Sequence, residues 1–209
     1  MGTEETVRML LDRYGRSYAS QAGIRVTDTP SPLYRLLVLA HLLSARISAD
    51  IAVAAARELS AAGYRTPRAM LDATWQQRVD ALGRGHYRRY DERTATQLGD
   101  GARLLRDRWR GDLRRLRDEA DGTAPRIHRL LTEFPGIGPT GADIFLREVQ
   151  GAWPSVAPYF DRRVVATARD LRLPGDPDRL ARLVPRDELP AFDAALVRAH
   201  GHVRELRAA

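Results

Sequence analysis

The stretch Leu130-Leu-Thr-Glu-Phe-Pro-Gly-Ile-Gly-Pro-Thr-Gly-Ala142 decides how the rest of the chain is read. Before it, Ile127, Leu130, Leu131 and Phe134 recur at helical spacing, so Pro125 to Phe134 reads as a helix. After it, Gly141 to Gln150 reads as a second helix. Gly136-Ile-Gly138-Pro-Thr-Gly141 also matches G-x-G-x-x-G, with Asp161 twenty residues on. A dinucleotide fingerprint of that kind follows a strand inside a βαβ unit. A helix precedes it here and no βαβ unit surrounds it, so that reading is excluded.

What remains is a helix, a tight turn and a second helix: a helix-hairpin-helix over about 126–150. The glycines let the backbone turn sharply and approach a ligand closely. Ile137 is placed to tuck between the helices, and the N–H groups opening the second helix suit a phosphate. Gly136, Ile137, Gly138, Thr140 and Gly141 are therefore the expected DNA-contacting residues. Such contacts read the nucleic-acid backbone rather than its sequence. The alternative is a purely structural turn between helices.

Helical periodicity continues in both directions. From Pro32 to Leu43, Leu33, Leu36, Leu37, Ala40 and Leu43 recur at three and four residues. Ser48 caps an Ala-rich helix to Leu59 that Gly63 stops, and Thr66-Pro67 opens a short helix to Ala73. Trp75 to Leu82 is expected to close at Gly83, and a long helical region from Tyr87 to Trp109 to break at Gly99 or Gly101. Phe160–Leu171 and two or three short helices between Asp176 and Arg207 complete the count. No strand, repeat or low-complexity linker is found, so the fold class is all-α, with about ten helices.

Composition narrows the chemistry. The 209 residues contain 34 cations against 27 acids, a net charge of +7, and every cation is Arg. The chain has no Lys, no Asn and no Cys, a bias that fits a GC-rich, bacterial coding sequence. Without Cys there are no disulfides, thiolate metal sites, iron–sulfur clusters or Cys nucleophiles. Without Lys there is no Schiff-base lysine. There is no 18-residue apolar run and no signal-peptide pattern at the N-terminus, so a cytoplasmic, nucleoid-associated location is expected. The pI near 10.4 favours a polyanionic partner, nucleic acid ahead of membrane. Between Arg84 and Arg117 stand 11 Arg against five acids, with Tyr87, Tyr90 and Trp109 interleaved. That segment is either a phosphate-contacting surface or a solvated helix face.

At this point the chain resembles the endonuclease III-like superfamily of helix-hairpin-helix (HhH-GPD) DNA glycosylases. Leu42-Leu-Ser-Ala-Arg46 is similar to that family's Leu-Leu-Ser-Ala-Gln element, and Leu130–Ala142 to its hairpin. Gly151-Ala-Trp-Pro154 through Pro158-Tyr-Phe-Asp161 is similar to its Gly/Pro loop and Asp. Leu183-Val-Pro185 and Ala199-His-Gly201 are similar to its final helices, so the resemblance covers about Pro32 to His202. It implies a two-lobed helical fold with a central cleft. One lobe would span 29–152; the other would join 1–28 to 153–209 and carry the catalytic Asp.

The resemblance also implies roles. Asp161 is the catalytic carboxylate, stabilising the cation that develops at the sugar and orienting water. It is expected to cap the Phe160–Leu171 helix, with Arg162 and Arg163 as neighbouring cations. The loop before it is about two residues longer than in the cluster-bearing members, and Asp143 is the fallback carboxylate. In bifunctional members a Lys follows the hairpin; the matching residue here is Thr140, whose hydroxyl either holds water or sugar or is a helix-end group. The implied activity is monofunctional: a base is flipped, its glycosidic bond is hydrolysed, and an abasic site is left. Arg46 stands at the usual Gln and is expected to insert into or contact DNA. Arg162 is a further DNA contact, and Tyr34, His41 and Tyr159 are candidates for the base pocket. No metal or cofactor is expected; the sequence ends without the four-Cys cluster, and His200-x-His202 is too few ligands. The expected partner is duplex DNA carrying a lesion or mismatch, bound by a monomer. Two alternatives remain: a non-catalytic helix-hairpin-helix DNA-binding protein, and a lyase acting through the N-terminal amine.

Overall fold

The computed structural model describes residues 2–208, with side chains through residue 206. Among these residues the chain is helical throughout, without a strand. In order come α1 (Thr3–Tyr14), α2 (Tyr18–Gln21), α3 (Pro30–Ser44), α4 (Ala49–Ala61), α5 (Pro67–Asp72), α6 (Trp75–Arg84) and α7 (Asp91–Trp109). Then follow α8 (Leu113–Glu119), α9 (Ala124–Leu131), α10 (Pro139–Val149), α11 (Arg162–Asp170), α12 (Pro177–Ala181), α13 (Leu189–Ala199) and α14 (Val203–Ala208). Short 3-10 turns at Arg186–Glu188 and His200–His202 flank α13. No helix is long and apolar enough to cross a membrane.

The helix starts follow their capping chemistry. Ser48 Oγ accepts from the Ile51 N–H at 3.4 Å, and Thr66 Oγ1, ahead of Pro67, accepts from Ala69 at 3.2 Å. Thr74 and Gln77 form a reciprocal capping box on α6. The ends depart from expectation in two places. α6 runs through Gly83 and stops at Gly85, where a Cβ would lie 2.4 Å from Ala55 Cα. The close approach of α4 and α6, not backbone freedom, puts glycine there. α7 is unbroken: Gly99 and Gly101 are buried inside it, against Arg78 and Phe134. Helix α8 was not anticipated, because Leu113 and Leu116 are its only buried residues in an Arg-rich run; Asp112 caps it.

The chain divides into two compact units. One is Ala19–Leu146; the other combines the chain up to Tyr18 with the chain from Arg147 on. The divisions therefore fall at 18/19 and 146/147, rather than at 28/29 and 152/153. The reason for the second lies in the last turn of α10, whose polar side chains bind the terminal unit: Glu148 Oε1 accepts from the Tyr18 N–H at 2.9 Å.

In the Ala19–Leu146 unit α3 is the central element. Of the ten residues from Leu33 to Leu42 all but Arg35 are buried: Leu33, Tyr34, Leu36, Leu37, Val38, Leu39, Ala40, His41 and Leu42. A helix apolar on all sides must be surrounded, and α3 packs against α4 and α8 while α6 packs on α4 and α7. In the terminal unit α13 is the centre. α1 and α11 pack against it, burying Val7, Leu10, Val164, Ala168, Phe192 and Leu196.

Candidate functional site

The hairpin forms as the glycines require. α9 ends, Phe134 turns inward to stack on Trp109 at 5.6 Å, and α10 begins at Pro139. Gly136 has φ +84, and a Cβ there would stand 2.6 Å from both Gln97 Oε1 and His41 Cε1. Only glycine meets both demands. Ile137 is 5% exposed. Gly141 faces Ile137 and Ser44, whose Oγ donates to the His41 carbonyl at 2.6 Å. Gly138 has open space around its Cα. His128 Nε2 lies 3.3 Å from Asp143 Oδ1, tying α9 to α10. The fallback carboxylate thus braces the hairpin. Thr140 is exposed on the first turn of α10, and its hydroxyl makes no hydrogen bond among the described residues.

Beside the turn lies a concavity of about 270 Å³. Gly136 forms one edge and His41 and Gln97 line it, with Arg46 from the end of α3 and Tyr90 and Arg93 from the start of α7. Tyr90, Arg93, Thr94 and Gln97 share one face at helical spacing. Sequence reading had singled out His41 and Arg46 but missed Gln97, although that spacing was legible. His41 is 6% exposed and side-chain bonded to Gln97. Burial first, and the Arg93 charge last, lower its pKa to about 4, so its ring is neutral at pH 7; the bond to Gln97 opposes the shift. Tyr34 lies in a smaller adjoining cavity, and its hydroxyl finds no hydrogen-bond partner among the described residues. Burial pushes its phenol well above the usual range, against the pull of Arg78.

The basic segment is not uniform. Arg103, Arg106 and Arg114 pair with Asp100, Asp107 and Asp112, each at 2.7 Å. Arg108 pairs with Glu119 and Glu133, and Arg117 with Asp28 and Asp118. Arg88, Arg89 and Arg93 pair with no carboxylate among the described residues, and nor does Arg46; Arg89 lies over the Tyr90 ring at 5.2 Å. The unneutralised cations of this segment therefore include the group at the α6–α7 loop and the concavity rim.

Asp161 belongs to the terminal unit. It caps α11 as expected, Oδ1 accepting from the Val164 N–H at 2.9 Å. Its cation, however, is neither Arg162 nor Arg163, both exposed on α11. It is Arg147, whose Nη1 donates to Asp161 Oδ2 at 2.5 Å and whose Nε lies 3.4 Å from Asp193 Oδ1. A guanidinium on the preceding helix reaches the carboxylate, while the adjacent arginines are exposed on α11. No local signal marks Arg147 or Asp193. Tyr159 is fixed through its backbone: its N–H donates to Gln150 Oε1 at 3.0 Å, and Gln150 Nε2 donates to its carbonyl at 3.2 Å.

The structure thus gathers Tyr34, His41, Arg46 and the hairpin glycines in one unit, and Tyr159, Asp161 and Arg162 in the other. His200 and His202 have separate partners, Thr167 and Glu205. Among the described residues no three His, Asp or Glu side chains cluster to hold a metal ion.

No known family profile matches the sequence, and no curated protein matches it. Two solved structures are similar over 95% of this chain and 86% of theirs. One is a trapped endonuclease III–DNA covalent intermediate, an estranged-adenine complex, at 21% identity and a TM-score of 0.49. The other is a non-covalent endonuclease III–DNA complex, at 20% identity and a TM-score of 0.50. By the second likeness, the chain has the helical fold of endonuclease III.

Proposed function

We propose that the protein is a monofunctional DNA glycosylase of base excision repair. The observation that carries the proposal is the hairpin turn, its glycine backbone exposed beside a concavity rimmed by unpaired Arg46 and Arg93. The first-turn N–H groups of α10 have no intrahelical acceptor and suit a phosphate oxygen. The free arginines suit further phosphates of the same strand. On this unit the proposed DNA contacts are Arg46, Gly136, Ile137, Gly138, Thr140 and Gly141; on the terminal unit Arg162 is a further proposed contact. On this unit His41 and Tyr34 are the candidates for contact with the flipped base; on the terminal unit Tyr159, on the loop before Asp161, is a separate candidate.

The chemistry falls to Asp161. The C1′–N bond breaks with its electron pair leaving on the base, which takes up a proton. Water adds its oxygen to C1′ and releases a proton to the medium, leaving an abasic site. A carboxylate beside C1′ stabilises the intervening cation and orients that water. Thr140, exposed on the first turn of α10 in the other unit, offers its hydroxyl to a sugar or to water. With no Lys in the chain, an imine through the side chain at this position is impossible. The N-terminal amine, on Met1, lies outside the described residues.

One observation favours a second reading, a non-catalytic DNA-binding protein: both oxygens of Asp161 already accept hydrogen bonds, one from the helix cap and one from Arg147. Each oxygen keeps a second lone pair, and activity decides between the two. Base release is measured on a panel of duplexes carrying deaminated, mismatched, oxidised or alkylated bases, with and without hot alkali. The proposal expects strand breaks only after alkali. It also expects Asp161→Asn to abolish release while binding the same duplex normally, since Asn still caps α11. Release by Asp161→Asn at the wild-type rate, or breaks without alkali, would overturn it.

A further inference from the structure

The last turn of α10 does more than end a helix. Gln150, fully buried, holds both backbone groups of Tyr159 and also donates to the Arg147 carbonyl at 3.0 Å. Arg147, 13% exposed, holds the Asp161 carboxylate itself. One helical turn therefore sets the backbone of the loop and the side chain it delivers. Behind Arg147 stands Asp193, 1% exposed on α13, among Phe192, Ala194, Ala195 and Leu196, all buried.

We infer that Asp193 is a positioning residue for the glycosidic hydrolysis proposed above, acting on Asp161 through Arg147; the inference rests on that proposal. A carboxylate among apolar neighbours is costly to desolvate, and an apolar residue of similar volume would leave α13 more stable. What Asp193 supplies is orientation and charge. It lies at ion-pair distance, 3.4 Å, from the Nε edge of a planar guanidinium whose Nη1 donates to Asp161. A lone Arg147–Asp161 pair would be neutral, and at short range would cancel the field that a developing sugar cation needs. With Asp193 the three side chains carry one net negative charge. The arginine can then fix Asp161 without silencing it.

The test uses the full chain and the duplex from which the wild type releases a base. Single-turnover rates at saturating enzyme are read beside duplex affinity and urea unfolding. Asp193→Asn keeps the shape and removes the charge; it should slow the chemical step about tenfold or more, with affinity held within about twofold. Asp193→Glu, which keeps the carboxylate, should recover part of the lost rate, whereas a merely structural contact predicts no recovery, because the longer side chain overpacks the site. If Asp193→Asn does not fold, Arg147→Lys is read instead: it keeps the charge but loses the planar fork that links Asp193 to Asp161, and should slow the chemical step at unchanged affinity. A wild-type rate in Asp193→Asn or Arg147→Lys, or an Asp193→Glu no faster than Asp193→Asn, overturns the inference while leaving the glycosylase reading standing. No release by the wild type from any duplex overturns both.

Discussion

His41 is the residue at which burial, hydrogen bonding and position meet. It sits against the one turn residue that must be glycine, and burial lowers its pKa from 6.5 to about 4. Its folded-state pKa thus lies below its unfolded value. Between the two, the unfolded chain binds a proton that the folded chain does not, so stability falls as pH falls through that window. Above about pH 6.5 the contribution is complete, and below about pH 4 no more is lost. The span corresponds to about 3 kcal/mol. Urea unfolding at pH 7 and pH 4 should therefore show a smaller pH-dependent loss in His41→Gln than in the wild type, by about that amount. Carboxylates contribute to both proteins alike and cancel in the comparison. Equal losses in the two would mean that His41 is hydrated and protonated like an exposed histidine. The same neutral ring, hydrogen-bonded to Gln97, keeps a charge out of the concavity wall.

At the scale of elements, the glycines of α6 separate what a sequence displays from what it hides. Gly83 looked like the stop and Gly85 did not. Yet a Cβ at Gly83 meets nothing within 4 Å, whereas at Gly85 it would enter the Ala55 backbone. The two alanine substitutions should therefore have opposite signs. Gly83→Ala, inside a helix, should stabilise by about 0.5–1 kcal/mol. Gly85→Ala should destabilise by about 1–3 kcal/mol as α4 and α6 are forced apart. Urea midpoints of the two variants measure both, and destabilisation by both would place the helix end back at Gly83. The caps at Ser48, Thr66 and Asp161 were legible because each acts within three residues of itself. So were α3 and the hairpin, whose apolar spacing and glycine pattern are local. α8 was hidden because two leucines among arginines give too weak a period. Arg147, Gln150 and Asp193 were hidden because their partners lie on other elements. Asp161 was readable as a cap, but its counter-ion was not, since Arg147 lies fourteen residues back while the adjacent Arg162 and Arg163 are exposed on α11.

For the whole molecule the question is which part of a +7 charge meets a polyanion. Net charge alone treats every arginine as equal. The ion pairs do not: Arg103, Arg106 and Arg114 each hold an aspartate at 2.7 Å, whereas Arg46, Arg88, Arg89 and Arg93 hold none. A phosphate approaching a paired arginine also meets the carboxylate beside it, and the gain from one largely offsets the loss from the other. Phosphates neutralised by the free cluster release condensed counterions, and the slope of log affinity against log salt counts them at about 0.9 each. Arg88→Ala and Arg93→Ala should each reduce the magnitude of that slope by about one on an undamaged duplex. Arg103→Ala and Arg106→Ala should leave it nearly unchanged, although each removes the same formal charge. If all four variants shifted the slope equally, binding would follow the overall field rather than a face built at the hairpin, and the α6–α7 loop would lose its place in the interface. If only the first two do, the cations that meet the duplex are those of the concavity rim and the α6–α7 loop.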